Sequence, residues 1–160
     1  MIFVCVGSRE YQFDRLLIEL DNLVEQYEIQ DDIFAQIGQS TYEPKNYNYK
    51  RFVNVDEFNL YQTKADIIIS HGGTGALIGA LKKRKQVLAV PRLEKYGEHI
   101  DDHQLQVAAV LEEEGYLKVV TDIKNLIEGI NFLKNNPIKK IYSENTDVLN
   151  IINDFIIKTK

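Results

Sequence analysis

The feature that most constrains this chain is the segment Ile67-Ile-Ile-Ser-His-Gly-Gly-Thr-Gly75, an apolar run that leads directly into a glycine-rich turn and a helical pattern. A buried strand that delivers such a turn to a helix start gathers backbone N–H groups at the positive end of the helix dipole. Glycines let phosphate oxygens approach these N–H groups because no side chain intervenes. The segment therefore predicts a site for a phosphate or diphosphate, to which the Thr74 hydroxyl adds a donor.

Length and charge limit the function classes. The 160 residues are 44% hydrophobic, enough for one packed domain and too few for two of usual size, so residues 1–160 are interpreted as a single domain. The formal net charge of −5 argues against nucleic acid as a partner, because such proteins need a concentrated basic face. The basic stretches at residues 45–51 and 82–85 are typical of a solvated surface.

Cysteine usage and hydropathy indicate the compartment. Cys5 is the single cysteine, so no intrachain disulfide forms, which fits a reducing environment. The first apolar run is short and lacks a basic leader, so it does not resemble a secretory signal. No apolar run is long enough to span a bilayer. The sequence predicts a cytoplasmic location.

Strand and helix patterns alternate from end to end, which is typical of a parallel sheet covered by helices. Short apolar runs predict strands at residues 1–6, 32–37, 52–55, 65–69, 86–90 and 117–120. Apolar spacings of three and four predict helices at residues 13–27, 56–63, 74–83, 102–114, 123–134 and 146–158, with Asp56 capping the second. The predicted fold class is α/β, a Rossmann-like parallel sheet with helices on both faces.

A second glycine turn follows the first predicted strand. In such sheets, ligands bind beyond the carboxyl ends of the strands, where the strand order reverses. Gly7 and Ser8 follow the first strand, and residues 72–75 follow the central one. The two turns are expected to meet at one phosphate site, although Gly7 and Ser8 also fit an ordinary tight turn.

A nicotinamide dinucleotide is an alternative ligand. Gly73, Gly75 and Gly79 approximate a dinucleotide fingerprint, and Arg92 follows the next strand, where it could meet a 2′-phosphate. Against this reading, the turn lies in mid-chain, and too little sequence follows it for a dinucleotide fold plus a substrate domain.

A metal site is the other alternative. His99 and His103 are four residues apart, a spacing that places two ligands on one helical face. Asp101 or Asp102 fits better as a helix cap, which puts His99 in the preceding loop, facing a polar ligand. No Asp-x-Asp pair ends a strand. We therefore predict no metal and no other cofactor.

Several motifs together resemble one known family. They are Ser70-His-Gly-Gly-Thr-Gly75, Val90-Pro-Arg92, Tyr96-Gly-Glu-His99 and Asp101-Asp-His-Gln104. In combination they resemble the C-terminal, donor-binding half of glycosyltransferase family 28 enzymes of GT-B architecture, over nearly the whole chain. The sequence looks most like stand-alone bacterial subunits of capsule and exopolysaccharide synthesis. These are similar to the catalytic subunit of the two-piece eukaryotic transferase that adds the second N-acetylglucosamine to dolichol diphosphate.

The resemblance implies a role for each site residue. Gly7, Ser8, Gly72, Gly73, Thr74 and Gly75 would bind the diphosphate of a UDP-sugar donor, and His71 would help to offset the leaving-group charge. Val55 would contact the nucleobase. His103 and Gln104 would contact the donor sugar, with Glu98, His99 and Asp102 lining the same pocket. Several relatives carry a ribose-binding Glu at the position of Gly79, so ribose recognition must come from elsewhere.

The resemblance also implies the reaction and the partners. The chain would transfer a hexose, galactose-type or similar, from a UDP-sugar to a polyprenyl-diphosphate-linked saccharide, metal-independently and with inversion. A membrane-anchored, acceptor-binding subunit would complete the enzyme at the inner face of the plasma membrane. The apolar helix predicted at residues 146–158 would dock that partner. The alternative is a non-catalytic regulatory module that binds a nucleotide sugar.

Overall fold

The computed structural model describes residues 1–143 and, beyond them, Asn150, Ile152, Asp154 and Ile157. Its centre is a six-stranded, all-parallel sheet with the order β3-β2-β1-β4-β5-β6. The order reverses between β1 and β4, the arrangement of a Rossmann-like domain. The predicted α/β fold with a parallel sheet is confirmed.

The elements follow one another in near-strict alternation. The strands are β1 Ile2–Cys5, β2 Ile33–Gln36, β3 Asn48–Lys50, β4 Ile67–Ser70, β5 Gln86–Ala89 and β6 Lys118–Val119. The helices are α1 Asp14–Glu25, α2 Val55–Lys64, α3 Thr74–Lys82, α4 His103–Glu113 and α5 Leu126–Asn135. Two 3₁₀ turns, Glu94–Tyr96 and Ile123–Asn125, precede α4 and α5.

Alternating side chains of the strands build two cores. In β1, Ile2 and Val4 face one side of the sheet, where they join α1 and α5, while Phe3 and Cys5 face α2, α3 and α4 on the other. Both faces of β1 and β4 are buried, which explains why their sequences are continuous apolar runs rather than alternating ones. Burial on both faces fixes the carboxyl ends of these strands, from which the glycine turns start.

One predicted strand is wrong. Residues 52–55 do not form a strand; β3 lies earlier, at Asn48–Lys50, and α2 begins at Val55. Asn54 caps α2 in place of the expected Asp56, because its side chain accepts a hydrogen bond from the Glu57 amide while the Glu57 carboxylate accepts one from the Asn54 amide. This reciprocal capping box stops any strand before residue 54.

The predicted C-terminal helix, residues 146–158, lies largely outside the described residues. Four positions in that range are described and helical: Asn150, Ile152, Asp154 and Ile157. Ile152 is buried with the core on the α3 and α4 side of the sheet, whereas Ile157 is 71% exposed. In the described part of the chain, no helix combines the length and apolar character needed to cross a bilayer.

Candidate functional site

The two glycine turns meet at the point where the strand order reverses. Cys5 and Ser70, the last residues of β1 and β4, are paired in register. The Gly7 and Gly72 turns that follow open into one cavity of about 710 Å³. A cleft of this size at a switch point suits a ligand of nucleotide-sugar dimensions.

Most of the predicted site residues line this cavity. Those that do so come from the β1 turn, the start of α2, the β4 turn and the loop before α4: Gly7, Ser8, Val55, His71, Gly72, Gly73, Thr74, Gly75, His99, His103 and Gln104. They are separated by as many as 97 positions in the chain, the distance from Gly7 to Gln104, and the parallel sheet brings them together.

Two predicted residues lie elsewhere. Glu98 is fully buried, and both of its carboxylate oxygens accept hydrogen bonds from Arg15, at 2.8 and 2.9 Å. One of them also accepts the Leu93 amide. Asp102 is exposed and accepts a hydrogen bond from the Glu94 amide. Neither residue lines the cavity, which corrects the expectation that both line a sugar pocket.

Gly79, where relatives place a ribose-binding Glu, also lies outside the cavity lining. A Cβ atom there would meet the Gln62 amide group of α2, at 3.7 Å. This face of α3 packs against α2.

His71 is buried between the two glycine turns. Its Nδ1 lies 3.1 Å from the Cys5 carbonyl oxygen, which can only accept, so the ring proton is assigned to Nδ1. Burial, and then the charge of Arg92, lowers the pKa of His71 to about 4. The ring is therefore neutral at neutral pH, with an unprotonated Nε2. A neutral ring carries no positive charge of its own, and the catalytic role assigned to His71 from the sequence stays a prediction.

The His71 ring also accounts for two of the glycines. A Cβ atom on Gly7 would lie 2.8 Å from His71 Nε2, and one on Gly73 would lie 2.5 Å from the same atom. Both distances are shorter than van der Waals contact. The bare backbone at these positions is required by the packing of an imidazole, in addition to any ligand.

The start of α3 differs from the start of α2. The N-cap of α3 is Gly73, and no side chain in the described part of the chain caps this helix. The amides of Thr74, Gly75 and Ala76 lack acceptors within a helix, because first-turn N–H groups precede the hydrogen-bonding pattern. All three residues line the cavity. They provide a cluster of donors at the positive end of a helix dipole.

The opposite rim carries an oriented imidazole. His99 Nδ1 lies 3.0 Å from an Asp101 carboxylate oxygen, and the His99 ring packs on Tyr11 with centroids 4.9 Å apart. The same Asp101 oxygen accepts the His103 amide at the start of α4. This pairing holds the His99 ring in place at the cavity, where it offers a polar group to a ligand.

Several cavity residues were missed from the sequence. An apolar wall comes from Val53, Phe58 and Val107, and polar groups come from Arg9, Asn54 and Asn59. Arg92 and Asp101, which the sequence suggested only as a dinucleotide contact and a helix cap, line the cavity too. The Asn54-x-x-Glu57 capping box was a readable signal that a helix starts at the cavity. Phe58 and Val107 carried no such signal, because they lie on helices distant in sequence.

The described residues offer neither a reactive cysteine nor a group of metal ligands. Cys5 lines the cavity but is 1% exposed, and burial raises the pKa of its thiol to about 11, so it is a poor nucleophile. Among the described residues, no three or more His, Cys, Asp or Glu side chains are grouped to hold a metal ion. Metal independence stays a prediction.

A family model covers almost the entire chain. Residues 1–155 match the glycosyltransferase family 28 C-terminal domain. This chain belongs to that family. The six-stranded parallel sheet is thus that of a GT-B C-terminal, Rossmann-like domain.

Two curated relatives carry the same name. The UDP-N-acetylglucosamine transferase subunit ALG13 of Candida albicans is 27% identical over 135 residues, which span 84% of this chain and 44% of that protein. Homo sapiens ALG13 is 27% identical over 124 residues, spanning 72% of this chain and 10% of that protein. The family 28 chain therefore matches less than half the length of each relative.

Solved structures agree on the fold. Acinetobacter baumannii MurG superposes with a TM-score of 0.60 at 17% identity, covering 98% of this chain and 49% of that one. An NMR structure of ALG13 gives 0.59 at 16% identity, covering 99% and 95%. A Neisseria meningitidis UDP-GlcNAc 2-epimerase bound to UDP-GlcNAc gives 0.59 at 17% identity, covering 98% and 44%. At such identities the likeness shows the fold alone.

Proposed function

We propose that this chain binds a UDP-sugar at the carboxyl ends of β1 and β4 and acts as the donor-binding subunit of a hexosyltransferase. One observation carries the proposal: the uncapped start of α3 and the Gly7 turn face one cavity of about 710 Å³, in a chain of glycosyltransferase family 28. Backbone N–H groups at a helix start are suited to a diphosphate.

The cavity suggests how the donor would lie. The diphosphate would rest on Gly7, Ser8 and the first-turn amides of α3. The nucleobase would lie at the start of α2, against Val55 and the Phe58 wall. The sugar would then point toward His103 and Gln104 at the start of α4. Asn54 and Asn59 line the α2 side and offer polar groups for the ribose.

The proposed reaction is attack of an acceptor hydroxyl on the anomeric carbon, with the sugar–phosphate bond breaking and UDP leaving. The helix dipole and backbone donors of α3 would stabilise the charge that develops on the departing diphosphate. The acceptor hydroxyl must lose a proton to a base. Neutral His71 holds the glycine turns in place, so the charge stabilisation falls to the backbone and to the arginines of the cavity. The proposed stereochemical course is inversion.

The proposal includes a partner. Both curated relatives are named as subunits of a transferase, which supports a second polypeptide that binds the acceptor. We place that partner at the inner face of the plasma membrane and propose a polyprenyl-diphosphate-linked saccharide of capsule or exopolysaccharide synthesis as the acceptor. A galactose-type hexose is the proposed donor sugar.

The first test is a ligand titration of the full chain. Calorimetry and thermal melting with UDP, UDP-galactose and UDP-N-acetylglucosamine are expected to show binding and a rise in melting temperature, because ligands that bind the folded state stabilise it. NADPH is the matched competitor, since its 2′-phosphate could meet Arg92. Binding of NADPH without binding of UDP would refute the proposal and favour a dinucleotide-binding protein.

The second test measures transfer. The chain, co-expressed with a membrane-anchored acceptor-type subunit, is expected to transfer sugar from a UDP-sugar to a polyprenyl-diphosphate saccharide, while either polypeptide alone gives at most a few per cent of that rate. EDTA should leave the rate unchanged. UDP-sugar binding with no transfer to any such acceptor would instead favour a regulatory, non-catalytic module.

A further inference from the structure

A largely buried cluster of charges includes Arg92 of the cavity lining, and its charges do not cancel. It contains two arginines, Arg15 and Arg92, and one carboxylate, Glu98. Glu98 is fully buried and Arg92 is 1% exposed. Both carboxylate oxygens of Glu98 accept hydrogen bonds from Arg15, and one of them also accepts a hydrogen bond from the Leu93 amide. Two guanidinium groups and one carboxylate leave the cluster with one excess positive charge, and Glu98, which hydrogen-bonds Arg15, acts on Arg92 only through space.

Arg92 is not satisfied by its surroundings. One terminal nitrogen donates to the Tyr11 carbonyl at 2.9 Å, and the guanidinium carbon lies 5.6 Å from the centre of the Phe13 ring. Its Nε is buried and has no hydrogen-bond partner within the described part of the chain. The carboxylate that acts on Arg92, Glu98, is hydrogen-bonded to Arg15 instead. A buried cation without a carboxylate of its own is costly to the fold, so its retention calls for an explanation.

The position of Arg92 relates this charge to the phosphate turns. The residue follows β5 and lines the cavity. Its amide donates to the His71 carbonyl at 3.4 Å and to the Gln104 side chain at 3.3 Å. The positive charge is also near enough to His71 to help keep that ring neutral. Arg92 thus lies between the β4 turn and the start of α4, which carries the proposed sugar contacts.

We infer that Arg92 is the fixed counter-charge of the cavity, a specificity-determining residue that makes the site select a diphosphate over an uncharged nucleoside. This inference rests on the proposed function and deepens it. A buried guanidinium acts at low dielectric, where its field on a nearby anion is weakly screened. It supplies the positive charge that neutral His71 cannot. The Arg92 guanidinium and the first-turn amides of α3, which lack acceptors, would then bind the same anionic ligand.

The experiment measures how affinity depends on phosphate charge. Uridine, UMP, UDP and inorganic pyrophosphate are titrated into the full chain and into Arg92→Met, Arg92→Lys and Glu98→Gln. Arg92→Met is expected to lose about 10- to 100-fold in UDP and pyrophosphate affinity, with uridine affinity unchanged. Arg92→Lys should recover most of that loss. Glu98→Gln removes the cluster's anion and should increase the gain from uridine to UDP.

A matched control is Arg51→Met. Arg51 lies on the surface, paired with Glu43, and is not part of the cavity lining, so this variant should bind UDP as the unmodified chain does. Equal losses of uridine and UDP affinity in Arg92→Met, or a weaker phosphate gain in Glu98→Gln, would mean that the cluster is only structural and overturn the inference. If Arg92→Met does not fold, the larger gain from uridine to UDP expected for Glu98→Gln decides.

The outcomes separate this inference from the proposed function. UDP binding that is indifferent to the Arg92 substitutions overturns the inference and leaves the function standing. If pyrophosphate binding depends on Arg92 but UDP binds no more tightly than pyrophosphate, the UDP assignment is overturned and the inference stands. If the unmodified chain binds neither UDP nor pyrophosphate, both are wrong.

Discussion

Gly75→Leu is expected to weaken UDP binding about 100-fold in a protein at least as stable as the unmodified chain. A Cβ atom at Gly75 would meet nothing within 4 Å, and the residue lines the cavity at the start of α3. A leucine there would fill the space proposed for the diphosphate. Loss of two charge-assisted hydrogen bonds of about 1.5 kcal/mol each corresponds to a fall of about 100-fold in affinity.

The free energy of unfolding of Gly75→Leu should rise although its UDP affinity falls. Leucine is a strong helix former, and replacing a helical glycine gains up to about 1 kcal/mol. Urea unfolding measures this change, and calorimetry measures UDP affinity. Gly79→Ala is the control on the same helix, since its Cβ would make only ordinary contact with Gln62 at 3.7 Å. It should leave UDP affinity unchanged. Undiminished UDP affinity in folded Gly75→Leu would put the diphosphate elsewhere.

The sequence was sufficient to predict the architecture and the place of the cavity. β1 and β4 are buried on both faces, so their sequences are unbroken apolar runs that no amphipathic helix would show. The glycine turn after each strand was visible, and the rule that ligands bind at the reversal of strand order brought the two turns together.

Local pattern failed where two structures competed for the same residues. The apolar pair Phe52 and Val53 favoured a strand, but the capping box from Asn54 to Glu57 committed the chain to a helix. Val55 consequently stands in the first turn of α2, 76% exposed at the cavity, rather than inside a strand. Its contact with the nucleobase stays a prediction, and the residue that would make the contact lies at the start of a helix.

The ion pair between Glu98 and Arg15 could not be predicted from the sequence. Glu98 lies in a polar loop, beside His99, and the family resemblance implied that it lines the sugar pocket. The structure pairs it with Arg15, 83 positions away, inside the protein. Arg92 was considered only for a dinucleotide phosphate, because its burial and its unsatisfied Nε become visible only when α1 and the β5 loop are packed together.

Gly73→Ala is expected to destabilise the fold by about 2 kcal/mol, the middle of the range for overpacking a filled core, and to weaken UDP binding by distorting the turn. The backbone itself tolerates alanine, since φ and ψ at Gly73 are −65° and 125°. The cost is steric, because the new Cβ would lie 2.5 Å from His71 Nε2 and 2.9 Å from Cε1. The Nδ1 contact with Cys5 restrains the ring from moving away.

The same contact predicts a strong coupling between the two sites. His71→Ala leaves a cavity and is destabilising by itself, but it removes the atoms that the Gly73 methyl would strike. In urea unfolding, the double variant should therefore be more stable than the sum of the single effects by at least about 1 kcal/mol. Gly75→Ala supplies the control, because its methyl meets nothing within 4 Å and its effect should add to that of His71→Ala within about 0.5 kcal/mol. Additive effects of Gly73→Ala and His71→Ala would show that the ring does not fix the glycine, and that the ligand alone demands the bare backbone.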